Sequence, residues 1–378
     1  MTPNDEEKSA QIPPIHWPKQ LQSDIKDNEV MVVLLNMGGP RTNADVRPFL
    51  KRLFSDSIIM RMPCSAVLQP IFAWLIVTLR GKRTEERYQL IGGGSPLFDS
   101  TGKQTQALQA ELQRRGRTLE VIFSFNYAPP FPAETIAEIK AKGKKYILPL
   151  SLYPHYSSAT TGSNMYYLEK EAKKNYPDLQ FLELPSYYLH PKYIQAFVDR
   201  IREAIISLEN LDEYFLLFSA HGLPLYFLME GDPYPFQIAQ TVAAVLGKLN
   251  RQHGWSISYQ SSVGPLKWLK PSTDDMLKAL ARRGVRKLLV VPIAFVNDHI
   301  ETLCEIDMEY RKLAEEAGIE DYRMTRALEV HPAFIEALAD SVEDVIPGEK
   351  KRVNFLKGTA LGDVIEKTIQ IVSLKNNL

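Results

Sequence analysis

Short apolar runs rich in Val, Ile and Leu alternate with amphipathic stretches along most of the chain. The first run, Val30 to Leu35, carries no charge, as a strand buried on both faces of a parallel sheet reads. Further strands are predicted at 119–125, 145–151, 179–184, 213–219, 255–260 and 286–295, with helices at about 133–142, 162–175, 191–208, 234–252 and 272–283. Strand–helix alternation of this length predicts an α/β fold of parallel, doubly wound sheets. The pattern runs twice, with a divide between Pro185 and Pro191. Two α/β lobes are therefore expected, over 29–185 and 186–345. Residues 1–28 are polar with scattered prolines and read as a loose tail. Residues 346–378 begin polar and finish with a helical pattern, and are expected to pack back on the first lobe.

One stretch departs from the alternation. Ile58 to Leu79 is strongly apolar, interrupted by Arg61, Pro63, Gln69 and Pro70, and Arg80, Lys82 and Arg83 follow at once. Its clean part is shorter than the ~20 apolar residues of a spanning helix, and Pro70 is expected to break it. Three readings stay open: a buried core helix, an exposed apolar lip for a large flat ligand or a membrane surface, and a membrane span. A lip edged with arginine suits a molecule that is greasy in the middle and anionic at its rim, because the guanidinium fork matches carboxylates.

Composition narrows the field. The 378 residues suit two domains, and 45% hydrophobic with 24% charged residues is the balance of a soluble globular protein. Lys+Arg and Asp+Glu both number 45, so no basic footprint for nucleic acid exists. The two cysteines, Cys64 and Cys304, form no CxxC pair, which leaves no disulfide framework or zinc knuckle and makes a reducing interior the default. The acidic, polar N-terminus lacks the apolar stretch of a signal peptide, so a cytoplasmic location is expected.

Two segments carry the candidate chemistry. In the first, Tyr214 to Pro224, an apolar strand delivers His221 at its carboxyl end, where α/β folds place their ligand crevice. In the second, the strand ending at Phe295 is followed by Asp298, placed to cap a helix from His299. Asp298, Glu301 and Glu305 are spaced by three and four, so their carboxylates are expected on one helical face. An imidazole opposite a carboxylate row can bind a borderline divalent metal or take a proton near neutral pH. Two or three ligands are too few for a closed structural zinc site, which suggests a metal that passes through. Ser219 beside His221 is no hydrolase elbow, since GxSxG is absent. The glycine turns Gly38-Gly39 and Gly92-Gly93-Gly94 are weak as nucleotide signatures; Ser95 could donate to a carboxylate.

The blocks LLNMGGP (34–40), IGGGSPL (91–97), YPHYSSATTGS (153–163), FSAHGLP (218–224), GDPYP (231–235), YQSSVGPLKWLKP (259–271) and VPIAFVNDHIETLCEID (291–307) together resemble the ferrochelatase family, over about residues 30 to 345. The resemblance implies two Rossmann-like lobes around a porphyrin cleft, a lip that touches membrane, and insertion of Fe²⁺ into protoporphyrin IX with release of two protons. It implies that His221 accepts pyrrole protons or ligates the metal, with Glu301 as the facing carboxylate and Asp298, His299 and Glu305 as neighbours. Met37 falls on the opposite porphyrin face, and Arg80, Arg83, Tyr88, Ser95 and Tyr127 fall where the porphyrin is held. The helix bearing the acid row is expected to include a π-type turn. Chemistry agrees, because a planar porphyrin must shed two N–H protons and pucker before a metal enters. Iron is then a substrate, no tightly bound cofactor is implied, and the C-terminal residues lack the cysteines of a [2Fe–2S] cluster. A monomer is expected, with peripheral contact at the inner membrane face through 58–83. Asn126 stands where many relatives carry a basic residue, and His155 where glutamine is common; His155 is read as a locally bonded loop residue. Two alternatives remain: coproporphyrin as substrate, or a non-catalytic tetrapyrrole- or heme-binding protein.

Overall fold

The computed structural model describes residues 25–60, 65–205, 208–252, 254–262 and 266–346. Eight strands form two parallel sheets. The first contains β1 (Val30–Asn36), β2 (Glu120–Phe125), β3 (Tyr146–Ser151) and β4 (Gln180–Phe181), in the order β2-β1-β3-β4. The second contains β5 (Phe215–His221), β6 (Trp255–Gln260), β7 (Lys287–Pro292) and β8 (Asp321–Met324), in the order β6-β5-β7-β8. The two halves thus repeat one topology, each an open parallel sheet flanked by helices, as the doubled alternation predicts. All seven residues of β1 are buried, which is why that run reads as uninterrupted apolar sequence.

Helices join the strands: α1 (Val46–Phe54), α2 (Ser65–Leu90), α3 (Leu97–Arg114), α4 (Pro132–Ala141), α5 (Ser163–Asn175), α6 (Pro191–Glu203), α7 (Leu225–Met229), α8 (Tyr234–Leu249), α9 (Thr273–Arg282), α10 (Arg311–Ala317) and α11 (Pro332–Val345). Two π-helical segments, Ser158–Gly162 and Glu301–Tyr310, follow β3 and β7. One apolar cluster runs from Leu108 and Leu112 on α3 through Tyr193 and Phe197 on α6 to Phe218 on β5 and Phe334 and Leu338 on α11. The lobes therefore share a core. Arg115, after α3, fastens that seam with hydrogen bonds to Asp340 (2.6 Å) and Glu343 (2.8 Å) of α11.

Several expectations change. The loose tail ends by Ile25, which packs against the core, while Asp27 pairs with Arg117 at 2.6 Å. Residues 1–24 and the segment 347–378, with its expected packing on the first lobe, lie outside the described residues. Strand β4 is two residues long, and β8 has no counterpart in the sequence reading. Pro70 does not break α2, because so near the helix start it removes a single backbone hydrogen bond. Nor is α2 a buried core helix. Gln69 and Ala73 face inward, but Leu68, Ile71, Leu75 and Leu79, spaced by three and four, are exposed, and Trp74 beside them is 64% exposed. Among the described residues no helix is long and apolar enough to cross a membrane. What the described residues of this stretch show is an exposed apolar face on α2.

Candidate active site

In a sheet of order 2-1-3-4, the crevice opens where successive connections leave to opposite faces, between the first and third strands. The second sheet has His221 at the tip of β5 and the loop 293–299 leaving β7, and Ile293 N–H bonds to Ser219 O (3.0 Å) to hold them side by side. The first sheet presents Met37 after β1 and Tyr153 after β3.

The His221 ring is fixed by its own turn. Its Nδ1 lies 2.6 Å from Gly222 O, and a carbonyl can only accept, so Nδ1 carries the proton and Nε2 keeps its lone pair in the neutral ring. Among the described residues that Nε2 has no hydrogen-bond partner. Gly222 must be glycine, since a Cβ there would meet Gln260 O at 2.6 Å. Phe295 stands between two imidazoles, edge-on to His221 at 6.3 Å and 4.5 Å from His299.

Glu301 opens the π-helix. His299 Nε2 is 3.0 Å from Glu301 Oε2, close enough for charge attraction but not aligned as a hydrogen bond, so Oε2 is left without a donor. Burial opposes ionisation of Glu301, but His299 and then His221 outweigh it and hold the carboxyl down to about 2. Burial also works against a charged His299 ring; the adjacent Glu301 carboxylate wins and raises its pKa. The pair therefore favours a carboxylate beside an imidazolium. Glu301 is deep, yet its side chain keeps 24% of its surface accessible. Tyr88 and Tyr153 both feel its charge, and burial followed by that charge raises both phenols.

The three acidic residues differ in their partners. The helix begins at Ile300 rather than His299, and Asp298 caps no backbone N–H of the helix: Thr302 donates to its carboxylate (3.1 Å) while accepting from His299 N–H (2.9 Å). Burial raises the Asp298 pKa, partly offset by the Thr302 hydroxyl. Glu305 accepts from Ser261 (2.7 Å) and Tyr310 (2.8 Å). Among the described residues no three His, Cys, Asp or Glu side chains converge as a metal cage. His221 and Glu301, electrostatically coupled, remain as an open pair.

The other sequence-predicted residues separate into two groups. Met37 is half-buried and packs with Tyr88, Tyr127 and Ile300, which joins the first lobe to the start of the π-helix. The Tyr127 hydroxyl donates to the buried Asp56, which also accepts from Ser163 (2.9 Å), so it is engaged inside the first lobe. Ser95 Oγ accepts from Leu97 N–H (3.3 Å) at the start of α3 and packs where a Cβ on Gly39 would lie 2.5 Å away; it serves the turn. Arg80 and Arg83 are exposed on α2. Asn126 bonds Ser163 (3.0 Å). His155 is no local loop histidine: it is 2% exposed, its Nε2 meets Thr241 of α8 at 2.8 Å, and burial lowers its pKa to about 3.

Three contributors escaped the sequence reading. Tyr153 accepts from Met37 N–H (3.2 Å), and its place at the tip of β3 was the available signal. Asn36 reaches Asn297 (3.4 Å) across the lobes. Glu329, at a positive φ of 47°, accepts from Asp298 N–H (2.8 Å) and steadies the loop before His299; nothing local in the sequence marks it. A surface concavity of about 400 Å³ lined by Tyr214, Arg251 and Lys287 lies at the opposite, amino end of the second sheet.

The chain was compared with known proteins. A family model described as Ferrochelatase matches residues 29–346. Curated relatives named Ferrochelatase include that of Picosynechococcus sp., 46% identical over 83% of this chain and 82% of the relative. That of Gloeobacter violaceus is 45% identical over 83% of this chain and 97% of the relative. Among solved structures, SirB from Bacillus subtilis with Fe3+ is similar at a TM-score of 0.49 and 15% identity, covering 65% of this chain and 90% of that one. CbiX, described as the terminal enzyme for biosynthesis of siroheme in denitrifying bacteria, has a TM-score of 0.43 at 11% identity, covering 83% of this chain and 98% of that one.

Proposed function

The chain belongs to the ferrochelatase family, and from that premise we propose that it inserts Fe²⁺ into protoporphyrin IX, with His221 and Glu301 as the groups that meet the reacting centre. The observation that carries the assignment is a base beside a fixed charge: the Nε2 lone pair of His221, which has no hydrogen-bond partner among the described residues, and the Glu301 carboxylate that His299 holds ionised at 3.0 Å. A lone pair left open at a strand tip is ready to take a proton. His221 Nε2 accepts a pyrrole proton, and Glu301, ionised at every physiological pH, offers an oxygen to the incoming Fe²⁺ and stabilises the imidazolium that forms. The balance is one Fe²⁺ in and two protons out, with no redox step. His299 keeps Glu301 charged, while Phe295 spaces the two imidazoles.

Met37 and Tyr88, which share one apolar cluster, would form the wall opposite, and the exposed Arg80 and Arg83 on the lip would hold the propionates. The enzyme is a metal chelatase of the lyase class. It needs no tightly bound cofactor, and with Cys64 and Cys304 its only cysteines it has too few thiolates for a [2Fe–2S] cluster. The exposed apolar face of α2 supports peripheral contact with the inner membrane face by a cytoplasmic monomer.

Mixing the protein anaerobically with Fe²⁺ and protoporphyrin, with coproporphyrin in parallel, tests the reading. Porphyrin fluorescence should fall as heme absorbance rises, faster with protoporphyrin. Binding without turnover would make the protein a carrier, and a preference for coproporphyrin would overturn the substrate named here.

A further inference from the structure

The cleft has one wall from each sheet, and a chain of hydrogen bonds ties the walls together outside the reacting groups. It starts at Met37, whose N–H donates to Tyr153 OH (3.2 Å). From Tyr153 the first-lobe loop runs to Ser157 and Ser158, which deliver three donors to one oxygen of Asp232 in the second lobe: Ser157 Oγ (2.9 Å), Ser158 N (2.8 Å) and Ser158 Oγ (2.9 Å). The other Asp232 oxygen accepts from Tyr234 N–H (3.1 Å), and Tyr234 OH donates to the backbone oxygen of His221 (3.0 Å). Asp232 is 7% exposed and Tyr234 8%, so these bonds are shielded from competing water. The loop is further pinned to α8 by Tyr156 N–H on Gln237 (2.7 Å) and by His155 on Thr241 (2.8 Å).

We propose that Asp232 and Tyr234 are positioning residues that set the gap between the Met37 wall and the His221 wall, and with it how far a bound porphyrin is bent. The inference rests on the chelatase reading above. A carboxylate suits the task because its two oxygens accept from two lobes at once without offering a proton of its own. The corresponding amide would turn an N–H₂ toward either three donors or one. Both side chains are buried and spend their polar atoms on these bonds, so their effect passes through the His221 backbone and the loop from Tyr153. Rigid placement matters here because displacements of about 1 Å at a reacting centre can cost up to 10²-fold in rate.

The test uses the full chain and its Tyr234→Phe, Asp232→Asn and double variants. Turnover is measured with Fe²⁺ and protoporphyrin, affinity by porphyrin fluorescence, and ring bending by the out-of-plane resonance Raman bands of bound metal-free porphyrin. Tyr234→Phe should lower kcat about tenfold and Asp232→Asn somewhat more, with porphyrin Kd within about twofold of wild type and weakened out-of-plane bands. The double variant should be little worse than Asp232→Asn, because the two act as one unit. Phe keeps the ring packing, so that variant carries the test alone if Asp232→Asn does not fold. Unchanged kcat and bands, or a loss of turnover matched by a loss of porphyrin binding, would overturn the proposal. A wild-type chain that inserts no metal overturns the chelatase reading itself; an active wild type with indifferent variants overturns the clasp alone.

Discussion

The two sheets share one strand order and hold different chemistry at their tips. Each opens its crevice between the first and third strands, and in each a π-helical segment follows the third. In the first lobe that segment is five residues of small, neutral side chains, and the tips are Asn36-Met37 and Tyr153. In the second it is ten residues beginning with Glu301, and the tips carry His221 and His299. Topology supplies the place in both; only the second lobe equips it with a base and a charge. Under the proposed function this gives a division in which the second lobe would perform proton and metal chemistry while the first would shape and hold the ligand.

Removing the base is the most direct way to break that division. His221→Ala should lower metal insertion by about 10²–10⁴-fold with porphyrin still bound, measured by fluorescence quenching against heme formation. Normal turnover would return the chemistry to some other group. Glu301→Gln should cost about 10²-fold, since a neutral amide neither attracts Fe²⁺ nor stabilises the imidazolium, and His299 loses its partner charge. A loss confined to porphyrin affinity would move Glu301 to the binding side of the division.

The seam between the lobes can be probed by acid. His155 titrates near 6.5 in the unfolded chain and at about 3 when folded, because burial disfavours its charged form. Between those values the unfolded chain binds the extra proton, so this contribution to stability is complete above pH 6.5 and falls as pH drops toward 3. At pH 5 the loss is about 2 kcal/mol. Melting curves at pH 7 and pH 5 should show a larger acid shift for wild type than for His155→Gln; equal shifts would remove His155 from the seam. The smallest effect belongs to the lip. Arg80→Ala should raise the porphyrin KM a few-fold with kcat unchanged, as loss of one exposed ion pair predicts.

The fold was legible where burial is two-sided and continuous. Fully buried β1 and mostly buried β7 announce themselves as apolar runs, and the doubled rhythm announces two lobes. The edge strand β8, with the sequence DYRM, is four residues long and charged at two, so little in its composition separates it from a loop. The partners of the acid row were hidden for a different reason. Spacing by three and four places carboxylates on a helix but does not say that Asp298 meets Thr302, Glu301 meets His299, and Glu305 meets Ser261 and Tyr310. Tyr127 and Ser95 fit their motifs as ligand contacts, and their structural partners, Asp56 for Tyr127 and the turn beside Gly39 for Ser95, were not legible in those motifs.

Periodicity and residue type alone determined the α/β class, the repeated lobe and the strand-tip position of His221, while the resemblance of the motif blocks pointed to the family. Tertiary structure decided which groups meet. That His221 couples to Glu301 eighty positions later, that a serine loop of one lobe closes on Asp232 of the other, and that His155 is buried rather than free all depend on strand order and on lobe-to-lobe packing. Local sequence pattern records how each segment faces its own surroundings. Which segments become those surroundings is settled only when the sheets pair and pack.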